Sequence, residues 1–254
     1  MELGLVQYNP VWEDKTRNKE KLKFLLNDIE DNVDALVFPE MTLTGFTMEP
    51  EKFAEDLDGE SVCFFKDIAS DKNLHLFAGI IERDGNKFYN SLLHINNKGE
   101  LVKFYRKIHP FSYSAEDKHY SRGEKVVVTE VNEWKTGLSV CYDLRFPELY
   151  RYYGRERVQL IINIANWPET RIEHWRALLK ARAIENQCYV AGVNRVGDDP
   201  KLHYNGFSSV FDPMGEEIIS SENEEKIITT DLSLDKVEEV QTRLPFLNDI
   251  YLLK

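Results

Sequence analysis

Three residues in this sequence combine a reactive type with a telling location: Glu40 in VFPEMTLTGF, Lys107 in FYRKIHPF and Cys141 in LSVCYDLRFPELYR. Each is polar and ends an apolar run that reads as a strand, where a rigid sheet can present a side chain to a cleft. Cys141 stands between LSV and a turn leading into a helix, and a thiol beside a helix N-terminus is biased toward thiolate. A free cysteine is also commonly a small buried hydrophobe, so Cys141 reads either as a nucleophile or as core. Glu40, after Pro39, is either a general base with a raised pKa or half of an ion pair. Lys107, beside Arg106, reads in isolation as a solvated strand edge. Together they offer a nucleophile, a proton shuttle and a charge stabiliser, the three parts that covalent amide hydrolysis needs.

Other reactive types point elsewhere. Cys63, placed by spacing on the apolar face of a helix, and Cys188 in NQCYV read as core. The three cysteines form no CxxC pair, which suits a reducing cytoplasm. Six histidines lie scattered without HxxxH or HExxH spacing, so no metal site is expected, although His109 offers a Cys–His alternative. A net charge of −12 argues against a nucleic-acid or anionic-membrane binder. No stretch approaches the ~18 apolar residues of a membrane helix, and MELGLVQYNPVW lacks the basic start and apolar run of a signal peptide. A hydrophobic share of 42% is ample for a sizeable core.

The elements that must position these residues follow from periodicity. Residues 3–9 alternate as a strand, 16–30 carry apolar residues at helical spacing, and 34–39 read as a buried strand ending at Glu40. A helix is predicted over 60–72. Three antiparallel strands follow, divided by turns at Asp84-Gly85 and Lys98-Gly99. Strands at 126–131 and 136–141, a helix over 148–157, a very apolar strand at 158–166 and a helix over 172–187 come next. The segments YVAGVNR and GFSSVFDPMGEEI continue as strands, with a hairpin turn at 212–215, and SSENEEK (220–226) reads as a solvated turn. Strand–helix–strand thus occurs twice, suggesting two α/β halves around one core over 1–254. The apolar tail 240–254 is expected to dock on its own body or on a partner subunit.

VFPEMTLTGF, YRKIHPF and SVCYDLRFPELYR, in that order, resemble the three signature segments of the nitrilase superfamily of carbon–nitrogen hydrolases. The resemblance runs from LGLVQYNPVW to NGFSSVFDPMGE. It implies an α/β (α+β) fold, a four-layer αββα sandwich, with catalytic Glu40, Lys107 and Cys141 and a second glutamate at Glu116 in FSYSAEDKHY. The stretch NWPETRIEHWRALLKARAIENQCYVAGVNRVG further resembles the bacterial ω-amidase branch, which hydrolyses the terminal amide of short amido-acids such as α-ketoglutaramate.

Under that resemblance the partner is a small-molecule amide, no cofactor or metal is implied, and a cytoplasmic homodimer is expected. The backbone N–H of Tyr142 is expected to share oxyanion stabilisation with Lys107. Arg145 either binds a substrate carboxylate or pairs with Glu148 or another acid. Phe111, Tyr113 and Trp167 line the pocket or serve ordinary packing, and His174 and Trp175 read as structural. A nitrilase, an N-carbamoyl amidase and a non-catalytic binding protein that keeps the fold are the competing readings.

Overall fold

The alternating start of the chain forms β1 (Glu2–Gln7), with Leu3 and Leu5 on one face and Val6 on the other. The computed structural model describes residues 1–27, 29 and 32–252. Asp14 caps α1 (Lys15–Leu25) by accepting from the Arg17 N–H at 3.0 Å. The helix expected over 16–30 therefore ends at Leu25, and positions 28 and 30 of that span lie outside the described residues. After β2 (Ala35–Val37) come the single turn α2 (Pro50–Phe53) and α3 (Glu60–Asp71). The meander β3 (His75–Asp84), β4 (Lys87–Ile95) and β5 (Leu101–Arg106) follows as the turn signals predict. Gly85, at φ +58°, supplies the left-handed residue of the first hairpin.

The second half repeats the scheme after the single turn α4 (Glu116–His119). It runs β6 (Val128–Val131), β7 (Trp134–Val140), α5 (Pro147–Arg155), β8 (Leu160–Ala165), α6 (Ile172–Asn186) and β9 (Tyr189–Asn194). Then come β10 (Val196–Asp198), β11 (His203–Phe211), β12 (Glu217–Glu222), β13 (Lys226–Asp231) and α7 (Leu234–Arg243). The solvated turn expected over 220–226 is instead the end of β12, a short connection and the first residue of β13. β10, β13 and α7 have no counterpart in the sequence pattern read above.

Two sheets result. One has the order β13-β1-β2-β3-β4-β5, and the other β10-β11-β9-β8-β7-β6 with β12 beside β11. Parallel β1/β2/β3 and β7/β8/β9 form the centres, and antiparallel strands flank them. Leu5, Val37, Phe77 and Leu92 of the first sheet share one core with Leu138, Val140, Ile162 and Val193 of the second. The opposite face of the first sheet, with Leu36, Leu76 and Leu93, packs on Leu22 of α1 and on Val62, Phe65 and Ile68 of α3. Each such side chain contributes about 1.5–3 kcal/mol by burial. Gly137 lies against the Tyr153 ring of α5 and Gly192 against Leu179 and Trp175 of α6, which covers the outer face of the second sheet. The layers are helix, sheet, sheet, helix, the αββα sandwich expected.

Cys63 departs from expectation. It is exposed on α3, whose buried stripe is formed by Val62, Phe65 and Ala69 with Ser61, Phe64 and Ile68. Cys188 is buried. Among the described residues no helix is long and apolar enough to cross a membrane, and no group of three or more His, Cys, Asp or Glu is disposed to hold a metal.

Candidate active site

Glu40 lies just past β2, on a turn that crosses the middle of β3 at Gly79. The Thr42 N–H donates to Gly79 O at 2.9 Å and the Gly79 N–H donates to Thr42 Oγ1 at 3.1 Å. A Cβ on Gly79 would lie 2.5 Å from Met41 N and 2.8 Å from Glu40 Cα, so only glycine lets β3 approach this turn. Lys107 follows β5 and is fixed at both ends of its peptide, with N–H to Asn90 O at 2.9 Å and C=O from Gly123 N at 2.7 Å. Glu116 opens α4, and its carboxylate accepts the Phe111 N–H.

The three side chains meet in the interior. Lys107 Nζ donates to Glu40 Oε1 at 2.9 Å and to Glu116 Oε2 and Oε1 at 2.8 and 3.1 Å. Asn90, in the middle of β4, donates its side-chain amide to Glu40 Oε1 at 2.7 Å and to Glu116 Oε1 at 2.9 Å. Asn166, just past β8, donates its backbone N–H to Glu40 Oε2 at 2.8 Å and its side-chain amide to Glu40 O at 2.8 Å. Glu40, Lys107 and Glu116 are all buried.

Cys141 ends β7 and opens a single 3₁₀ turn, Cys141–Arg145, with φ of +46°, a left-handed conformation that a non-glycine residue seldom adopts. Its N–H donates to Asn163 Oδ1 at 3.1 Å, and the Asn163 amide in turn donates to Ser139 Oγ at 3.0 Å and to Tyr150 OH at 2.9 Å. The Val140 N–H donates to Asp143 Oδ2 at 3.0 Å, closing the turn on its other side.

The charges of this cluster act on one another. Burial pushes the Cys141 thiol well above the ordinary cysteine range; Glu40 adds to the rise and Lys107 opposes it. Burial works against the Lys107 ammonium, but Glu116 and Glu40 outweigh it and hold the group well above the ordinary lysine range. Burial lifts the Glu116 carboxyl above the ordinary glutamate range, against the pull of Lys107 and with the help of Glu40. At neutral pH the site therefore holds a neutral thiol beside a permanent cation. Such a thiol needs a base at the moment it attacks.

A cavity of about 280 Å³ reaches Cys141, and Phe111, Tyr142, Arg145 and Trp167 are in its wall with Asn166. Arg145 lies over the Trp167 ring at 4.8 Å and donates to His174 Nδ1 at 3.2 Å, so the ion pair with Glu148 does not form. Tyr113 is exposed and takes no part in this wall. A larger groove of about 1050 Å³ does not include Cys141. His109 lines that groove, with Nδ1 bonded to Asp143 Oδ1 at 2.7 Å and its ring stacked on Phe146. The residue suggested for a Cys–His pair is thus committed elsewhere.

Asn90, Asn166, Asn163 and Asp143 hold the reactive groups, and the sequence reading passed over all four. Asn90 and Asn163 had a signal: each is an amide inside an apolar strand, KFYNSLLHI and LIINIA, where a buried polar group needs partners. Asn166 and Asp143 lie in connections and carried none.

Comparison with known proteins agrees with this architecture. The carbon–nitrogen hydrolase family model matches residues 2–242. The 2-oxoglutaramate amidase of Bacillus subtilis (strain 168) is 31% identical over 98% of this chain and 96% of its own. The omega-amidase YafV of Escherichia coli (strain K12) is 35% identical over 98% and 96%. Among solved structures, XC1258 from Xanthomonas campestris, a CN-hydrolase superfamily protein with an arsenic adduct in its active site, superposes with a TM-score of 0.93. It is 32% identical, and the match covers 100% of this chain and 99% of that one. With the sandwich, the length of the match and these identities in agreement, the chain belongs to the carbon–nitrogen hydrolase family.

Proposed function

We propose that this enzyme cleaves the terminal carboxamide of a short, 2-oxoglutaramate-like ω-amido acid into the acid and ammonia, through a thioester on Cys141. The observation that carries the reading is the Lys107 ammonium held between Glu40 and Glu116, next to a neutral thiol that opens on a cavity. Glu40 takes the Sγ proton while sulfur attacks the amide carbon, and the carbonyl electron pair moves onto oxygen. Lys107 and the Tyr142 N–H stabilise that oxyanion, and one such donor is worth about 3 kcal/mol. Tyr142 is the second residue of its helical turn, and the first N–H groups of a turn have no partner within it. Collapse breaks the C–N bond, and Glu40 passes the proton to the departing ammonia. Water, deprotonated by Glu40, then attacks the thioester; the acid leaves and the thiol re-forms. Glu116 holds the ammonium in place.

The substrate class is supported by the names of the relatives, a 2-oxoglutaramate amidase and an omega-amidase. Arg145 is the group proposed for the substrate carboxylate, with Phe111 and Trp167 as apolar walls. The same reading treats residues 1–254 as one catalytic unit that pairs as a homodimer through the tail at 240–254, in a reducing cytoplasm. Exposed Phe246, Tyr251 and Leu252 support the pairing, and three free cysteines suit the compartment.

Ammonia release and product mass over a panel of 2-oxoglutaramate, an N-carbamoyl amino acid and a nitrile test the reaction. Turnover should be confined to the amide, and Cys141→Ala should lose at least about 10³-fold. Retention of amide hydrolysis by that variant refutes the covalent path. Sedimentation of the full chain against one shortened before residue 244 tests the pairing.

A further inference from the structure

Two guanidinium groups stand in the wall of the cavity that reaches Cys141, and neither has a carboxylate partner among the described residues. Among the described residues, Arg145 has only the Trp167 ring and His174 as side-chain partners. Arg171, immediately before α6, lies over the Phe111 ring at 5.6 Å, and its carbonyl accepts the Trp167 indole N–H at 2.8 Å. Its backbone is thereby tied to one aromatic wall while its side chain rests on the other. Arginines farther along the same helix are not left in this state: Arg176 pairs with Glu217 and Arg182 with Glu185.

The acids around the cavity do not answer these charges. Glu13 accepts the Thr47 hydroxyl, and Glu49 pairs with Lys52 at 3.0 Å. Asp199 accepts the N–H groups of Lys201 and Leu202 at 2.7 Å and the Tyr204 hydroxyl at 2.6 Å. Two planar cations, each on its own aromatic plate in the wall of one cavity, with no carboxylate partner among the described residues, form a frame suited to a carboxylate brought by the ligand.

We propose that Arg171 is a second specificity-determining residue, closing with Arg145 on the free carboxylate of the substrate. The inference rests on the ω-amide reading given above and adds a residue to it. A single exposed guanidinium exchanges its hydration for one salt bridge at small net gain. Two forks stacked on aromatic faces and sharing one carboxylate lose less side-chain freedom for each bond formed.

The test compares glutaramate, which carries the carboxylate, with pentanamide, which has the same chain length and none. Arg171→Met should lower the ratio of kcat/KM for glutaramate over that for pentanamide by about 10- to 100-fold, chiefly through KM. Arg171→Lys should fall between this variant and the wild type. Competitive inhibition by glutarate should weaken by a similar factor. An unchanged ratio in Arg171→Met, or equal losses on both amides, overturns the proposal. If Arg171→Met fails to fold, the same ratio in Arg171→Lys decides. A wild-type enzyme with no preference for glutaramate refutes the ω-amide reading itself, and this outcome is distinct from a preference that survives loss of Arg171.

Discussion

The phenol of Tyr105 donates a 2.8 Å hydrogen bond to Asp143 Oδ2, and so joins the strand leading to Lys107 with the turn that carries Cys141. Tyr105 lies in β5 of one sheet, and the turn follows β7 of the other. Asp143 is buried, and it also accepts from the Val140 N–H and from the backbone and ring of His109. Removing one donor from a buried charged acceptor costs about 1–3 kcal/mol. Tyr105→Phe should therefore lower the unfolding free energy by about that much in urea titration. It should reduce kcat more than it raises KM, because the tie sets the separation of two proposed catalytic groups rather than the cavity wall.

Lys107→Met leaves Glu40 and Glu116 buried together without their cation. Removing one member of a buried ionic cluster costs about 3–5 kcal/mol. The double variant with Glu116→Gln should regain part of that stability, measured by denaturant midpoint, while ammonia release stays at background. Full recovery of activity in the double variant would show that Lys107 acts only by balancing charge.

Activity should depend on pH through the carboxylates rather than the thiol. Because Cys141 and Lys107 are both held well above their ordinary ranges, kcat/KM should pass through the ordinary cysteine pKa of about 8.5 without a rising limb. On the acid side, Glu116 binds its proton at a higher pH than a free glutamate. Activity should consequently fall as pH drops through a value above about 4.3, and Glu116→Gln should move that limb. A limb near 8.5 in the pH–rate profile would instead indicate a preformed thiolate.

A histidine pair, with His94 buried and His75 half-buried, contributes to stability. His94 Nδ1 meets Thr129 Oγ1 at 2.6 Å across the sheets, and its Nε2 meets His75 Nδ1 at 2.9 Å. Burial, reinforced by His75, lowers the His94 pKa to about 3, and burial also lowers that of His75. In the unfolded chain each binds a proton near pH 6.5, whereas folded His94 stays neutral, so stability is complete above that pH and falls below it. The slope is about 1.4 kcal/mol per pH unit for His94 alone, or about 2 kcal/mol between pH 6.5 and 5. His94→Asn should flatten the pH dependence of the urea midpoint by roughly this share.

Glu40, Lys107 and Cys141 stood out in the sequence because three segments in order resemble the family signatures. Position alone left Glu40 as base or ion-pair partner and Lys107 as a strand edge, and the structure brings Glu40 and Lys107 into contact. Strands β1 to β9 carried enough apolar alternation or continuous apolar character to be read within a few residues of their ends. β13 was missed, and β12 was read only at its start after the hairpin turn, because both run along outer edges of the two sheets, where SSENEEK offers charges and no alternation. β10 spans only Val196–Asp198, too short for any period. In α7 only Val237 and Val240 are buried, a stripe too narrow to stand out among charges. Cys63 was misplaced because it adjoins Val62 in sequence, yet one residue on a helix turns a side chain about 100° away. Asn166 and Asp143 act through bonds to distant residues, which local pattern does not encode.

Cys141 occupies a backbone conformation that suits glycine. A left-handed side-chain-bearing residue sits about 1–2 kcal/mol above its relaxed state, so random drift in this gene would gain firmness by discarding the sulfur. Selection for stability and selection for chemistry therefore pull in opposite directions at this one position. A relative that carries glycine there would be a sturdier molecule, relieved of its reaction.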